Sequence, residues 1–96
     1  MSFVFSLDAE RDLRRYLYHV WAEDPQRSVR EATRLQSALE AFSTAPLDGV
    51  VVAIQGFPRP VRRWFLRPFL VYYERRSDGL HVLRLQHHAR RPIEGE

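Results

Sequence analysis

The sequence has no cysteine and no lysine, a single methionine and only four glycines. Without cysteine there are no disulfides, no thiolate zinc sites and no cysteine nucleophile. That fits a reducing compartment. No basic-then-apolar leader opens the chain, and no apolar run approaches the ~18 residues that a membrane helix requires. We therefore expect a soluble, cytoplasmic protein. Its 96 residues suit one domain with one modest core, since a chain of this size buries roughly 60–70% of its unfolded surface.

Every one of the 15 basic side chains is an arginine. Codon usage that favours arginine would produce this. So would selection for the planar, two-pronged contacts that a guanidinium makes with phosphate or carboxylate. Placement says more. From Met1 to Pro58 there are 6 arginines against 8 acidic residues, a net of −2. From Arg59 to Arg91 there are 9 arginines against Glu74 and Asp78, a net of +7. Such asymmetry points to an acidic partner for the second half, either nucleic acid or an acidic protein segment. A solvated basic face is the plain alternative.

The pattern of apolar residues changes period along the chain. Phe3 to Phe5 is a short run of β-formers and reads as a buried strand. Ser6 then offers a helix cap, with Asp8 and Glu10 supplying negative charge in the first turn. Leu13, Leu17, Val20 and Trp21 recur at helical spacing, so an amphipathic helix is predicted over Leu7 to Ala22. Asp24-Pro25 ends it and begins the next, because Asp caps and Pro suits the first helical position. Ala32, Leu35, Leu39 and Phe42 mark one face of that second helix, which Pro46 and Gly49 close. Two helices so closely joined pack as an antiparallel hairpin.

Val50 to Ile54 suits either a strand or an apolar loop. "GFPRP" breaks the chain. "VRRWFL", "FLVYYERR" and "LHVLRLQHH" then read as three strands, joined at Arg67-Pro68 and at Ser77-Asp78-Gly79. The expected fold class is α+β: an N-terminal strand, a two-helix hairpin, then a three-stranded antiparallel meander with the helices on one face.

Candidate chemistry gathers near "LRLQHHARR", residues 83–91. Strict alternation on the last strand puts Leu83, Leu85 and His87 on one face, and Val82, Arg84, Gln86 and His88 on the other. The leucines should face the helices, leaving a polar, arginine-lined face on the far side. Adjacent histidines on a strand diverge, and His19 and His81 lack ligand-like spacing to them, so no metal site is expected. A metal-independent ribonuclease needs a base, an acid and a cation for the phosphorane. His87 or His88, Glu74 and Arg84 have the required chemistry. Plain binding needs less. Arg62, Arg63, Arg67, Arg84, Arg90 and Arg91, interleaved with Trp64, Phe65, Tyr72 and Tyr73, suit nucleic acid or an acidic peptide. For Arg84 a salt bridge to Glu74 on the neighbouring strand is the structural alternative.

Two long segments carry a resemblance. "DLRRYLYHVWAEDPQRSVREATRLQSALEAFSTAPLDG" resembles the helix hairpin, and "VRRWFLRPFLVYYERRSDGLHVLRLQHHARRP" the C-terminal meander, of the RelE/ParE superfamily of bacterial toxins. The likeness is closest to the ParE-like, plasmid-stabilisation branch. It implies a growth-inhibiting toxin from a type II toxin–antitoxin pair, bound in a hetero-oligomer by an acidic antitoxin. It implies no cofactor, no metal and no membrane association. ParE-like members poison DNA gyrase; RelE-like members cut mRNA on the ribosome without a metal. The family positions that match are Arg62, Arg84, His87 and Arg90. The chain lacks the lysine that some RelE-type nucleases use as a general base, and it stops soon after His88, at Pro92 to Glu96. That favours gyrase poisoning over mRNA cleavage, with Arg62, Arg63, Trp64, Arg67, Arg84, His87, Arg90 and Arg91 as contacts to target or antitoxin.

Overall fold

In the computed structural model, which describes residues 2–88, β1 (Phe3–Phe5) is followed by α1 (Leu7–Glu23), α2 (Pro25–Thr44), β2 (Val50–Val52), β3 (Val61–Leu66), β4 (Phe69–Arg76) and β5 (Gly79–His87). This is the expected α+β order. The strands form one sheet in the order β1-β5-β4-β3-β2. The meander β3-β4-β5 is antiparallel, and β2 extends it antiparallel at one edge. At the other edge β1 lies parallel to β5, so the sheet is mixed. Val50 to Val52, ambiguous in sequence, is thus a strand.

Both helices start where capping chemistry places them. The Ser6 hydroxyl accepts from the Ala9 amide at 3.0 Å and donates to the Leu83 carbonyl at 2.7 Å. One side chain therefore caps α1 and fastens it to β5. The Asp24 carboxylate accepts from the Arg27 amide at 3.1 Å, with Pro25 opening α2. Buried Ser28 ties the two helices together by donating to the Leu17 carbonyl at 2.8 Å.

The main core lies between the helices and the sheet. Ala9, Leu35, Leu39 and Phe42 pack there against Phe69, Val71, Tyr73, Leu80, Val82 and Leu85. A second, smaller cluster of Ile54, Val61, Tyr72 and Leu83 gathers on the other face, with Val52, Phe57 and Leu70 packed against it. The far face is therefore partly apolar, which corrects the expectation of a purely polar, arginine-lined surface.

Strict alternation also fails at one residue of β5. Tyr73 opposes Val82, while Tyr72 opposes Arg84, so Leu83 is an extra residue. This bulge turns Leu83 to the far face and leaves Val82 with Leu85 on the helix side. Arg84 and Gln86, opposite Tyr72 and Leu70, keep their far-face positions. Sequence periodicity has no way to register a single inserted residue.

The exit from α2 is held by β4. Arg75 donates to the carbonyls of Phe42, Ser43 and Leu47 at 3.1, 3.0 and 2.8 Å, and to Asp48 at 2.7 Å. A cation at the carboxyl end of a helix satisfies its orphan carbonyls and opposes its dipole. Asp48, the arginine's partner, has its carboxyl held below the usual carboxylate range by that hydrogen bond. Gly49 follows. Its amide donates to the Tyr73 hydroxyl at 2.7 Å, and its carbonyl accepts from Arg62 at 2.9 Å. A β-carbon here would lie 1.8 Å from the Arg63 carbonyl oxygen, so only glycine lets the chain pass that close to β3. We expect Gly49→Ala to force β2 away from β3 and to cost about 3 kcal/mol. Urea unfolding checks this, and wild-type stability in the variant would disprove the close approach.

Candidate functional site

The site forms where β1 stops. β1 pairs with β5 only from Leu80 to Val82, and beyond that point β5 has no strand neighbour on this side among the described residues. The first half of α1 takes the strand's place. The Asp12 carboxylate accepts from the Leu85 amide at 3.0 Å. It also accepts two bonds from Arg84, Nε at 2.8 Å and Nη2 at 3.2 Å. The Asp12 side chain is only 9% exposed and that of Arg84 31%, so this charge-assisted, two-pronged pair has a shielded carboxylate and a guanidinium partly open to solvent.

The expected Arg84–Glu74 bridge is therefore corrected. Register is the reason. Arg84 opposes Tyr72, whereas Glu74 opposes His81 further along the sheet. Glu74 is gripped instead by Arg59 at 2.6 and 2.8 Å and by Arg76 at 3.1 and 2.7 Å. Hydrogen bonding to Arg59, and then to Arg76, holds its carboxyl below the ordinary value of 4.5.

Beside the Asp12–Arg84 pair lies a groove of about 360 Å³, lined among others by Arg15, Tyr16, His19, Phe69, Arg84 and His87. Arg15 and His19 stand one helical turn apart on α1, both exposed. Neither side chain has a hydrogen bond or ion pair among the described residues. Tyr16 donates to Glu31 at 2.8 Å, and its ring meets the edge of Phe69 with centroids 4.8 Å apart. Burial, reinforced by Glu31, pushes the Tyr16 phenol above its usual value, so it stays protonated. The groove can thus hold an anion on two guanidiniums and an imidazole, against an aromatic wall.

His87 faces the helices, half-buried, with Tyr16 and Phe69 both 6.2 Å away between ring centroids. His88 leaves strand geometry. Its amide and Nδ1 both meet the Pro68 carbonyl, at 2.9 and 3.1 Å, so Nδ1 carries a proton. The two imidazoles do not diverge as expected. They lie nearly parallel, 5.2 Å apart and 16° between planes, because β5 ends between them. Even so, no group of three metal-binding side chains occurs among the described residues.

The ribonuclease trio is not assembled. His87 opposes Phe69 and His81 opposes Glu74, so His87 and Glu74 stand five positions apart along β4, or about 17 Å. The other candidates scatter too. Trp64 stacks on Phe42 at 3.9 Å and is a packing residue. Arg62 points to the Gly49 carbonyl on the helix side of β3, while Arg63 stands across Tyr72 from Arg84 on the far side. Arg67 lies in the β3–β4 turn, next to the Pro68 carbonyl that holds His88; its own carbonyl accepts from Arg34 at 2.6 Å. Arg90 and Arg91 fall outside the described residues.

Sequence reasoning gave no site role to Asp12 or Arg15, and considered His19 only as a metal ligand. The signal was present in "DLRRYLYH": an arginine and a histidine four apart on one helix face, with an aspartate at the margin of the apolar stripe. Averaging charge over the first 58 residues concealed it.

Removing Asp12 would leave a guanidinium and the Leu85 amide without their acceptor. We expect Asp12→Ala to cost about 3 kcal/mol, and the double variant with Arg84→Ala to cost less than the sum of the two. Additive losses in chemical denaturation would show that the pair is not coupled. A second expectation concerns acid. Because the folded Glu74 carboxyl titrates below its unfolded value, its stabilisation is complete above the unfolded value and is lost as pH falls through the folded one. Melting temperature should fall below about pH 4.5, and less steeply in Glu74→Gln; an unchanged acid slope in that variant would refute the assignment.

No curated protein matches the chain. It does match, over residues 3–92, the protein family described as ParE toxin of type II toxin-antitoxin system, parDE. That match spans nearly the whole chain, takes in both the Asp12–Arg84 pair and the groove beside it, and makes this protein a member of the ParE toxin family.

Proposed function

We propose that the protein stops growth by binding and poisoning DNA gyrase in the cytoplasm, and that an acidic antitoxin neutralises it. Membership of a toxin–antitoxin family supplies the antitoxin partner. The choice of gyrase rests on one observation above all: Glu74, the carboxylate weighed for a nuclease, is held ionised by two arginines, about 17 Å along the sheet from His87. A poison needs a recognition surface and no catalytic set, and the arginines and aromatic wall of the groove support that reading. Arg84 is pre-oriented by Asp12, and His87 is set by the aromatic wall of Tyr16 and Phe69. An arginine whose fork is already fixed loses little freedom on binding.

Cleavage of mRNA on the ribosome is the second reading. It is favoured by the convergence of Arg15, Arg84, His19 and His87 on one groove, since imidazoles and guanidiniums are what acid–base cleavage of a phosphodiester uses.

Gyrase supercoiling of relaxed plasmid separates the two. With the protein added, supercoiling should be lost and linear DNA should appear after protease treatment. Arg84→Ala, shown to be folded, should lose at least about tenfold in potency, as expected for a central arginine contact. Normal supercoiling in the presence of folded wild-type protein would overturn the gyrase reading and direct attention to His87 on the ribosome.

A further inference from the structure

The exposed side of α1 is unlike the rest of the helix. Three of its four carboxylates come early, Asp8 and Glu10 in the first turn and then Asp12, which is committed to Arg84 and the Leu85 amide; the fourth, Glu23, closes the helix. From Leu13 to Ala22 there is no acidic residue at all. The same stretch presents Arg14, Arg15, Tyr18, His19 and Trp21 to solvent, with Tyr18 76% exposed. Arg11, Arg14, Arg15, Tyr18 and His19 line a shallow recess of about 500 Å³, and Arg15 and His19 also line the groove beside Arg84. Recess and groove are therefore one continuous basic track.

Its spacing is regular. Arg11, Arg15 and His19 follow each other at four-residue intervals, about 6 Å apart along the helix axis. That is close to the separation of successive phosphates in a nucleic-acid strand. The existing ion pairs offer little competition. Arg11–Asp8 is 3.9 Å long and Arg14–Glu10 is 2.9 Å, with every side chain more than half exposed, and exposed pairs of this kind are weak. Tyr18 between them provides a hydroxyl for a phosphate oxygen or a ring for a sugar.

We infer that this track, Arg11–Arg15–His19 with Tyr18 and continuing to Arg84, takes the sugar–phosphate backbone of duplex DNA. The preference for DNA rests on the gyrase reading, since gyrase is an enzyme that works on duplex DNA. The toxin would then touch enzyme and DNA together, gripping the backbone without reading its sequence.

The test is fluorescence anisotropy of a short labelled duplex titrated with the full chain, at several salt concentrations, alongside polyglutamate as an acidic-polypeptide probe. Wild type should bind in a salt-dependent manner and without sequence preference. The Arg15→Ala/His19→Ala variant should bind about tenfold more weakly, with a salt slope shallower by about one or two. Both residues are exposed, so an unchanged melting curve will show that the variant folds. Absence of duplex binding, or binding that the double variant leaves intact, overturns the inference. So does polyglutamate binding that matches the duplex and depends on the same residues, which would assign the track to an acidic protein segment. Bare DNA tests the track; trapping of gyrase tests the target. Loss of either leaves the other measurement standing.

Discussion

The carboxylate of Asp12 is the constraint on which the groove depends. It stands where β1 ends and β5 continues, and it closes that gap by accepting the Leu85 amide. A sheet edge left open here would expose its amides to water or to another chain. The same carboxylate orients Arg84, so edge protection and the presentation of the arginine proposed for recognition are one interaction. Ser6 prepares the arrangement by capping α1 and bonding to Leu83, which fixes the helix nearly two turns before Asp12 is needed. The position of α1 thus sets the shape of the site, although the site appears to belong to β5 when only the chain order is considered.

How far this was legible in the sequence varied with the range of the interaction. Both caps, Ser6 and Asp24, were readable because a helix start is a local event. So were the meander and its turns. The bulge at Leu83 was not, because it depends on how β4 and β5 settle against each other, and it reversed the side chain that periodicity had placed with the helices. Arg84 could be identified as important, but not its partner, since Asp12 is 72 residues away. Gly49 illustrates an intermediate case. Its place after the second helix was evident, while the reason for glycine, the carbonyl of Arg63 against its α-carbon, exists only in the folded chain.

Charge shows the same limitation in another form. The second half of the chain has a net of +7 between Arg59 and Arg91, yet much of that charge is used internally. Arg59 and Arg76 share Glu74, Arg75 holds Asp48 and the end of α2, and Arg84 is paired with Asp12 although its guanidinium stays partly open to solvent. Conversely the acidic first half contributes cations with no partner among the described residues, Arg15 foremost. Net charge along a sequence counts side chains, whereas recognition depends on those left over after the fold has taken its share. The lack of lysine acquires a role here, because Arg75 satisfies three carbonyls and a carboxylate at once, which an ammonium with three donors cannot do.

The parallel pairing of β1 with β5 has a consequence in time. The hydrogen bonds that tie α1 to β5, from Ser6 to Leu83 and from Asp12 to Arg84 and Leu85, all span more than 70 residues. During synthesis the first strand and first helix emerge early and wait for β5, the last strand to be made. Long-range pairings of this kind form late. A chain that still lacks β5 therefore lacks the groove, because Arg84, Leu85 and His87 line it from that last strand.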